Sequence, residues 1–322
     1  MGQLIDGVWH ADDDFPKDAS GRFVRPDSPL RHWVTPDGAA GPTGAGGFKA
    51  EAGRYHLYVS LACPWAHRTM LFRKFKGLEG AISLSVVHWY MGRDGWTFAD
   101  GPGVVSDPIF SARFLREIYL GSDPKHTGRV TVPVLFDKRS MRIVNNESAD
   151  ILRMFNSGFG GLADDSLDLY PADLRAEIDA LGEWMYPRLN NGVYRAGFAT
   201  TQIAYDEAFA DVFAALDELE PKLRKGPLLF GGRVTEADIR LFVTLVRFDA
   251  AYHGLFKCNL RRIADYPGLS RHIEAMLAVP GVRATVSVDH IKRGYYAIKA
   301  LNPSGIVPLG PELPWLAPRS RQ

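Results

Sequence analysis

The sequence predicts an α/β unit followed by an all-α unit. Three observations carry this. Between residues 55 and 155 short strand-like runs alternate with apolar stretches of helical period. Residues 157–171 are rich in Gly, Asp and Ser and read as a linker. Beyond them the strand signals stop and only helical periodicity continues. The chain has 322 residues, 46% of them apolar and 23% charged, which suits two domains with sizeable cores.

Residues 1–50 hold eight Gly and five Pro, against 32 and 21 in the whole chain. This predicts an extended arm without regular elements, anchored by Trp9, Phe23 and Trp33. The α/β unit follows over 51–157. Tyr55–Ser60 reads as a buried strand. Pro64 then opens a helix whose apolar face is Leu71, Phe72, Phe75 and Leu78, with Arg73, Lys74 and Lys76 suiting its negative end. Ile82–His88 is a second strand. A glycine-bearing loop (Gly92, Gly95, Gly101, Gly103) leads to a helix over Pro108–Leu120. Val130–Phe136 and Met141–Val144 are two further strands, and Glu147–Phe155 is a third helix. The order βαβ, then α, then ββα matches a thioredoxin-like fold. Over 172–322, Leu174, Ile178, Leu181 and Met185 mark one helix, and Phe209, Val212, Phe213, Leu216 and Leu219 mark another. The run Ile239, Leu241, Phe242, Leu245, Val246 and Phe248 is apolar nearly all round, which predicts a buried central helix.

Lys+Arg number 38 and Asp+Glu 37, a formal charge of +1. That balance argues against a phosphate backbone or an anionic membrane as main partner. No apolar run reaches the roughly 20 residues that span a bilayer. Met1–Asp14 carries four acidic groups and no apolar core, so no secretory signal peptide is expected. The only cysteines are Cys63 and Cys258, which points to a reducing, cytoplasmic setting. The nine histidines show no metal-ligand spacing, and no phosphate-binding glycine loop occurs, so no metal is expected.

Cys63 is the sharpest chemical feature. It ends a strand-to-helix turn with Pro64 at the first helical position. A sulfur there meets unsatisfied backbone N–H groups and the positive end of the helix dipole, both of which favour thiolate. The competing reading is a structural cysteine. Ala66 stands where a C-x-x-C pair would place its second thiol, so any redox chemistry must be resolved by an external thiol. Cys258 lies in a region without helix-start signals and reads as packing. Val132-Pro133 is either a strand-initiating trans proline or a cis peptide that leaves Val132 to pair with a peptide-like ligand. Glu147-Ser148 could recognise an amino-acid head, or be a plain cap made by Asn146 or Ser148. Thr235 and Asp238 form a structural capping-box variant. Tyr194, Tyr252 and the pair Tyr295-Tyr296 could donate protons or could be packing.

Taken together these features resemble the cytosolic glutathione transferase fold. More closely, the chain resembles the glutathionyl-hydroquinone reductases, the xi class of that superfamily. The resemblance runs from Phe23-Val24-Arg25-Pro26 to Asn302-Pro303-Ser304-Gly305. It rests on Cys63-Pro64-Trp65-Ala66-His67-Arg68, Gly95-Trp96-Thr97-Phe98, Arg129-Val130-Thr131-Val132-Pro133-Val134, Asn146-Glu147-Ser148-Ala149, Asn190-Asn191-Gly192-Val193-Tyr194 and Arg247-Phe248-Asp249.

The resemblance implies Cys63 as nucleophile and a glutathione site made of Trp96, Arg129, Val130, Thr131, Val132, Glu147 and Ser148. It implies Tyr194 as proton donor, and Tyr252 and Tyr295 as groups that lower the pKa of Cys63. The implied reaction reduces a glutathionyl-hydroquinone with a second glutathione, releasing hydroquinone and glutathione disulfide. It also implies a homodimer formed through the helical domain. Two other readings use the same residues: a glutaredoxin-like thiol transferase or dehydroascorbate reductase, and a non-catalytic protein that binds glutathione conjugates.

Overall fold

The computed structural model describes residues 2–11 and 15–316. The parts of the expected arm and helical domain at 1, 12–14 and 317–322 lie outside the described residues. The chain divides into two compact units: Met1–Asp14 with Pro26–Asp168, and Phe15–Arg25 with Leu169–Gln322. The first 50 residues are therefore shared between the two units.

The arm is not devoid of regular structure. Strands β1 (Gln3–Ile5) and β2 (Val8–His10) form an antiparallel hairpin. Its turn residues Asp6 and Gly7 have φ of 47° and 78°. An Asp-Gly pair is the preferred chemistry for such a two-residue turn, where both φ values must be positive. Of the expected anchors only Phe23 is buried; Trp9 and Trp33 are half-buried, and Leu4, Val34 and Phe48 are the arm's other buried apolar residues.

The main sheet of the first unit contains β3 (Tyr55–Val59), β4 (Ile82–Val86), β6 (Val134–Asp137) and β7 (Arg142–Asn145), in the order β4-β3-β6-β7. β3 and β4 are parallel and are joined through helix α1 (Pro64–Phe75). β3–β6 and β6–β7 are antiparallel. All five residues of β3 are buried, as a strand covered on both faces requires. The edge at β7 is covered by the arm. Asn146 N donates to Leu30 O at 3.0 Å and His32 N donates to Val144 O at 2.9 Å, which blunts an otherwise open strand.

Two expected elements are shorter than the periodicity suggests. Helix α2 spans Leu115–Ser122 and does not start at Pro108. The Asp107 carboxylate draws the amides of Ile109, Phe110 and Ala112 into a compact loop, and Ser111 takes a φ of 51°. A short acidic side chain thus offers the backbone an alternative to helical bonds. Of the expected strand Val130–Phe136 only Val134–Phe136 is strand, and a two-residue strand just before the run belongs to another sheet. Strand β5 (Gly128–Arg129) pairs with β1, and only Val134–Asp137 joins the main sheet. Pro133 has no N–H for a ladder, so it separates them. Helix α3 (Ser148–Arg153) follows, continuing into a wide turn over Met154–Gly158.

The second unit is helical: α4 (Arg175–Met185), α5 (Gly192–Gly197), α6 (Gln202–Lys225), α7 (Glu236–Arg247), α8 (Pro267–Ala278) and α9 (Val288–Tyr296). Every residue of α7 except Arg240 is buried, in keeping with its apolar periodicity. Its capping box is present. Asp238 Oδ2 accepts from Thr235 N at 2.9 Å and Thr235 Oγ1 at 2.8 Å, while Oδ1 accepts from Leu229 N at 2.8 Å. Asp238→Ala strands these donors around a wholly buried helix start. We expect a loss of about 3 kcal/mol, seen as a lowered melting temperature of the helical unit. An unchanged melting curve would remove the box from the folding account.

Candidate active site

Cys63 is the N-cap of α1, with φ −80° and ψ 123°, and Pro64 occupies the first helical position. The Cys63 carbonyl accepts the first helical bond, from His67 N at 3.0 Å. The first turn of α1 contains no acidic side chain, so nothing in that turn opposes the positive helix end at the sulfur. Cys63 Sγ lies 3.8 Å from the Val132 carbonyl oxygen, to which a protonated thiol would donate. The Val132–Pro133 peptide is cis, not the trans alternative.

The two cysteines differ in access. Cys63 is half-buried, whereas Cys258 has no exposed surface and burial pushes its thiol far above the ordinary range. Iodoacetamide should therefore alkylate native protein at Cys63 alone, with Cys258 reacting only after denaturation. Peptide mapping reads this directly; modification of Cys258 in folded protein at a comparable rate would contradict it.

Glu147 is itself the cap of α3, in place of Asn146 or Ser148. Its Oε1 accepts from Ala149 N at 3.0 Å and from Ser148 Oγ at 3.4 Å, and its own N donates to Asn145 Oδ1 at 2.7 Å. A carboxylate and a hydroxyl are thereby held side by side at one helix start, with Ser148 buried and Glu147 half-buried.

A residue that the sequence reading missed joins this segment to the Val130–Val132 segment. The buried Tyr119 hydroxyl donates to Thr131 O at 3.0 Å, and receives Thr131 N at 3.3 Å and Asn146 Nδ2 at 3.3 Å. Burial raises the Tyr119 phenol above its ordinary value, which keeps the donor proton in place at neutral pH. Tyr119 sits among apolar neighbours in α2, so its sequence context signals only packing.

Trp96 is half-buried in the loop before α2, where its carbonyl accepts from Leu115 N at 2.9 Å. Arg129 is in β5, opposite Gln3 of β1. Val130 and Val132 are buried and Thr131 is half-buried. Contacts thus join Cys63 to Val132, and Thr131 through Tyr119 to Asn146, the residue before Glu147. Trp96 and Arg129 stand on two further segments of the same unit.

The helical unit brings its three tyrosines together. The Tyr295 hydroxyl lies 2.5 Å from that of Tyr194 and 3.0 Å from that of Tyr252. All three side chains are buried, among Phe198 and Phe256. Burial raises Tyr252 and Tyr295 well above the ordinary phenol value, so both remain protonated hydrogen-bond donors at neutral pH. Arg25, from the arm segment that belongs to this unit, stacks its guanidinium 4.7 Å from the centre of the Tyr194 ring and donates from Nε to Asn191 Oδ1 at 2.7 Å. Among the described residues no group of three or more His, Cys, Asp or Glu could hold a metal ion.

Residues 62–157 match the glutathione S-transferase N-terminal domain and residues 202–275 the glutathione S-transferase C-terminal domain. The glutathionyl-hydroquinone reductase YqjG of Escherichia coli K12 is 53% identical over 313 residues, covering 97% of this chain and 95% of that protein. A glutathione-bound structure of YqjG superposes with a TM-score of 0.90 at 51% identity, covering 99% of both chains. The glutathionyl-hydroquinone reductase PcpF of Sphingobium chlorophenolicum is 51% identical over 315 residues, covering 98% of this chain and 97% of that protein. A xi-class transferase from Natrialba magadii superposes with a TM-score of 0.89 at 44% identity, covering 100% of this chain and 96% of that one. With a thioredoxin-like first unit, a transferase-type helical second unit and near-complete coverage at such identities, the chain belongs to the glutathionyl-hydroquinone reductases, the xi class of the glutathione transferases.

Proposed function

We propose that the protein reduces glutathionyl-hydroquinones to hydroquinones with glutathione as co-substrate. The observation that carries this reading is Cys63 at the start of α1, half-buried, with Ala at the position of a resolving thiol. Trp96, Arg129, Val130, Thr131, Val132, Glu147 and Ser148 hold glutathione. The carboxylate of Glu147 pairs with the ammonium of its γ-glutamyl end, and the Ser148 hydroxyl with its carboxylate. The Val132 backbone pairs with the cysteinyl amide. That a structure of the relative YqjG holds bound glutathione supports glutathione as the ligand.

In the first step the Cys63 thiolate attacks the thioether sulfur. The S–S bond forms, the sulfur–ring-carbon bond breaks, and its electron pair leaves with the ring. Tyr194 supplies the proton that the carbon needs, giving free hydroquinone. The ring carbon is reduced and the sulfurs are oxidised to a Cys63–glutathione disulfide. In the second step a glutathione thiol gives up its proton, which restores Tyr194, and its thiolate opens that disulfide, releasing glutathione disulfide and restoring the Cys63 thiolate. Tyr252 and Tyr295 act as donors that favour the thiolate form of Cys63. The reading includes a cytoplasmic setting, where free glutathione is available. It also includes a domain of 51–157 for glutathione, and one of 172–322 for the aromatic substrate and for a homodimer.

A glutaredoxin-like activity uses the same Cys63 but has no need of an acid for a carbon leaving group. Assaying one glutathionyl-hydroquinone beside a conventional aryl halide electrophile tests the proposal. Rapid formation of hydroquinone and glutathione disulfide with weak conjugation is the expected result. Efficient conjugation without reduction would overturn it.

A further inference from the structure

The N-terminal hairpin touches two of the segments proposed to hold glutathione. Its strand β1 pairs with β5, with Gln3 opposite Arg129 and Leu4 opposite Gly128. Beside that ladder Asp6 N donates to Thr127 Oγ1 at 2.9 Å and Gly7 N to His126 O at 3.1 Å. From β2, Trp9 reaches the loop that carries Trp96. Its indole N–H donates to Arg93 O at 3.0 Å. Its ring lies so close to Gly95 that a Cβ there would sit 3.0 Å from a ring carbon, and Gly2 is closer still, at 2.1 Å. The Arg116 guanidinium lies 5.2 Å from the Trp9 ring centre, and Arg116 also pairs with Asp94 in the same loop.

We infer that Trp9 is a positioning residue for glutathione, because one hairpin sets the spacing between the Trp96 loop and the Arg129 strand. The inference rests on the reading that Trp96 and Arg129 contact glutathione. The physical reason lies in the loop itself. Residues 89–97 contain two glycines and no helix or strand, so their backbone has many conformations to lose when a ligand binds. An indole wedged against Gly95 and hydrogen-bonded to Arg93 removes that freedom before the ligand arrives. Trp9 touches neither Cys63 nor the tyrosines through any of these contacts, so its effect belongs to ligand affinity and leaves the chemical step alone.

The test measures the glutathione Kd, and the KM for glutathione and kcat, in the full-length Trp9→Ala, Trp9→Phe and Trp96→Ala variants, each with a melting curve. Trp9→Ala should raise the Kd and KM about tenfold, with kcat at saturating glutathione within about twofold of the unmodified protein. Trp9→Phe keeps the packing and loses the indole N–H, so it should fall between. A structural role alone would lower kcat with the fraction of folded protein and leave KM unmoved, and that result overturns the inference. Should Trp9→Ala fail to fold, an unmoved KM in Trp9→Phe overturns it as well. If Trp96→Ala raises KM and neither Trp9 variant does, the inference fails while the glutathione reading stands. If Trp96→Ala leaves KM unmoved, that reading fails and takes the inference with it.

Discussion

Cys63→Ala should lower glutathionyl-hydroquinone reduction by at least about 10³-fold, the scale at which loss of a covalent nucleophile is felt. Without the sulfur there is no mixed disulfide, and water in its place cannot accept the glutathionyl sulfur from a thioether. Glutathione affinity should change by no more than about threefold, because the groups proposed to bind it are the backbone at Val132 and the side chains at Glu147, Ser148, Trp96 and Arg129. Mass spectrometry of the unmodified enzyme trapped with substrate should show one added glutathionyl group, on Cys63, and the variant none. Cys258→Ala should leave turnover nearly unchanged, since Cys258 is wholly buried in the other unit. A Cys63→Ala protein that keeps most of its turnover would falsify the assignment of the nucleophile.

Tyr194→Phe separates the reductase from a thiol transferase. Cleaving an aryl thioether expels carbon, a poor leaving group unless protonated. Cleaving a disulfide expels a thiolate, which leaves unaided. The substitution keeps the ring against Arg25, Phe198 and Phe256 and deletes the hydroxyl and its hydrogen bond to Tyr295. Turnover of the aryl thioether should fall by about 10²–10⁴-fold, the range of general acid catalysis. Turnover of a small mixed disulfide should fall far less. Equal losses on both substrates would reassign Tyr194 to the support of Cys63, and no loss on either would take it out of the reaction. Tyr295 touches the hydroxyls of both Tyr194 and Tyr252, so Tyr295→Phe should affect both substrates through two broken bonds.

Much of the framework is local, and the sequence by itself determined it. Alternating runs place β3, α1 and β4 and the later strands because strand and helix periods differ. Pro64 after Cys63 marks a helix start because proline suits a position whose N–H has no helical partner. Thr235 and Asp238 mark another because the cap is built from residues three apart. The Asp6-Gly7 turn was equally local, yet the glycine and proline content of the arm hid it. Only the tertiary structure decided the rest. β5, just before the expected Val130–Phe136 run, and β6, at its end, belong to different sheets because one pairs with β1, more than 120 residues earlier in sequence, and the other with β3. Nothing within seven residues of Tyr119 shows that its hydroxyl will meet Thr131 and Asn146. Tyr194, Tyr252 and Tyr295 share one buried hydrogen-bonded cluster although 101 positions separate the first from the last. Periodicity reports which side of an element faces the core; which distant polar group meets it there depends on how the elements pack, and the chain must fold before that question has an answer.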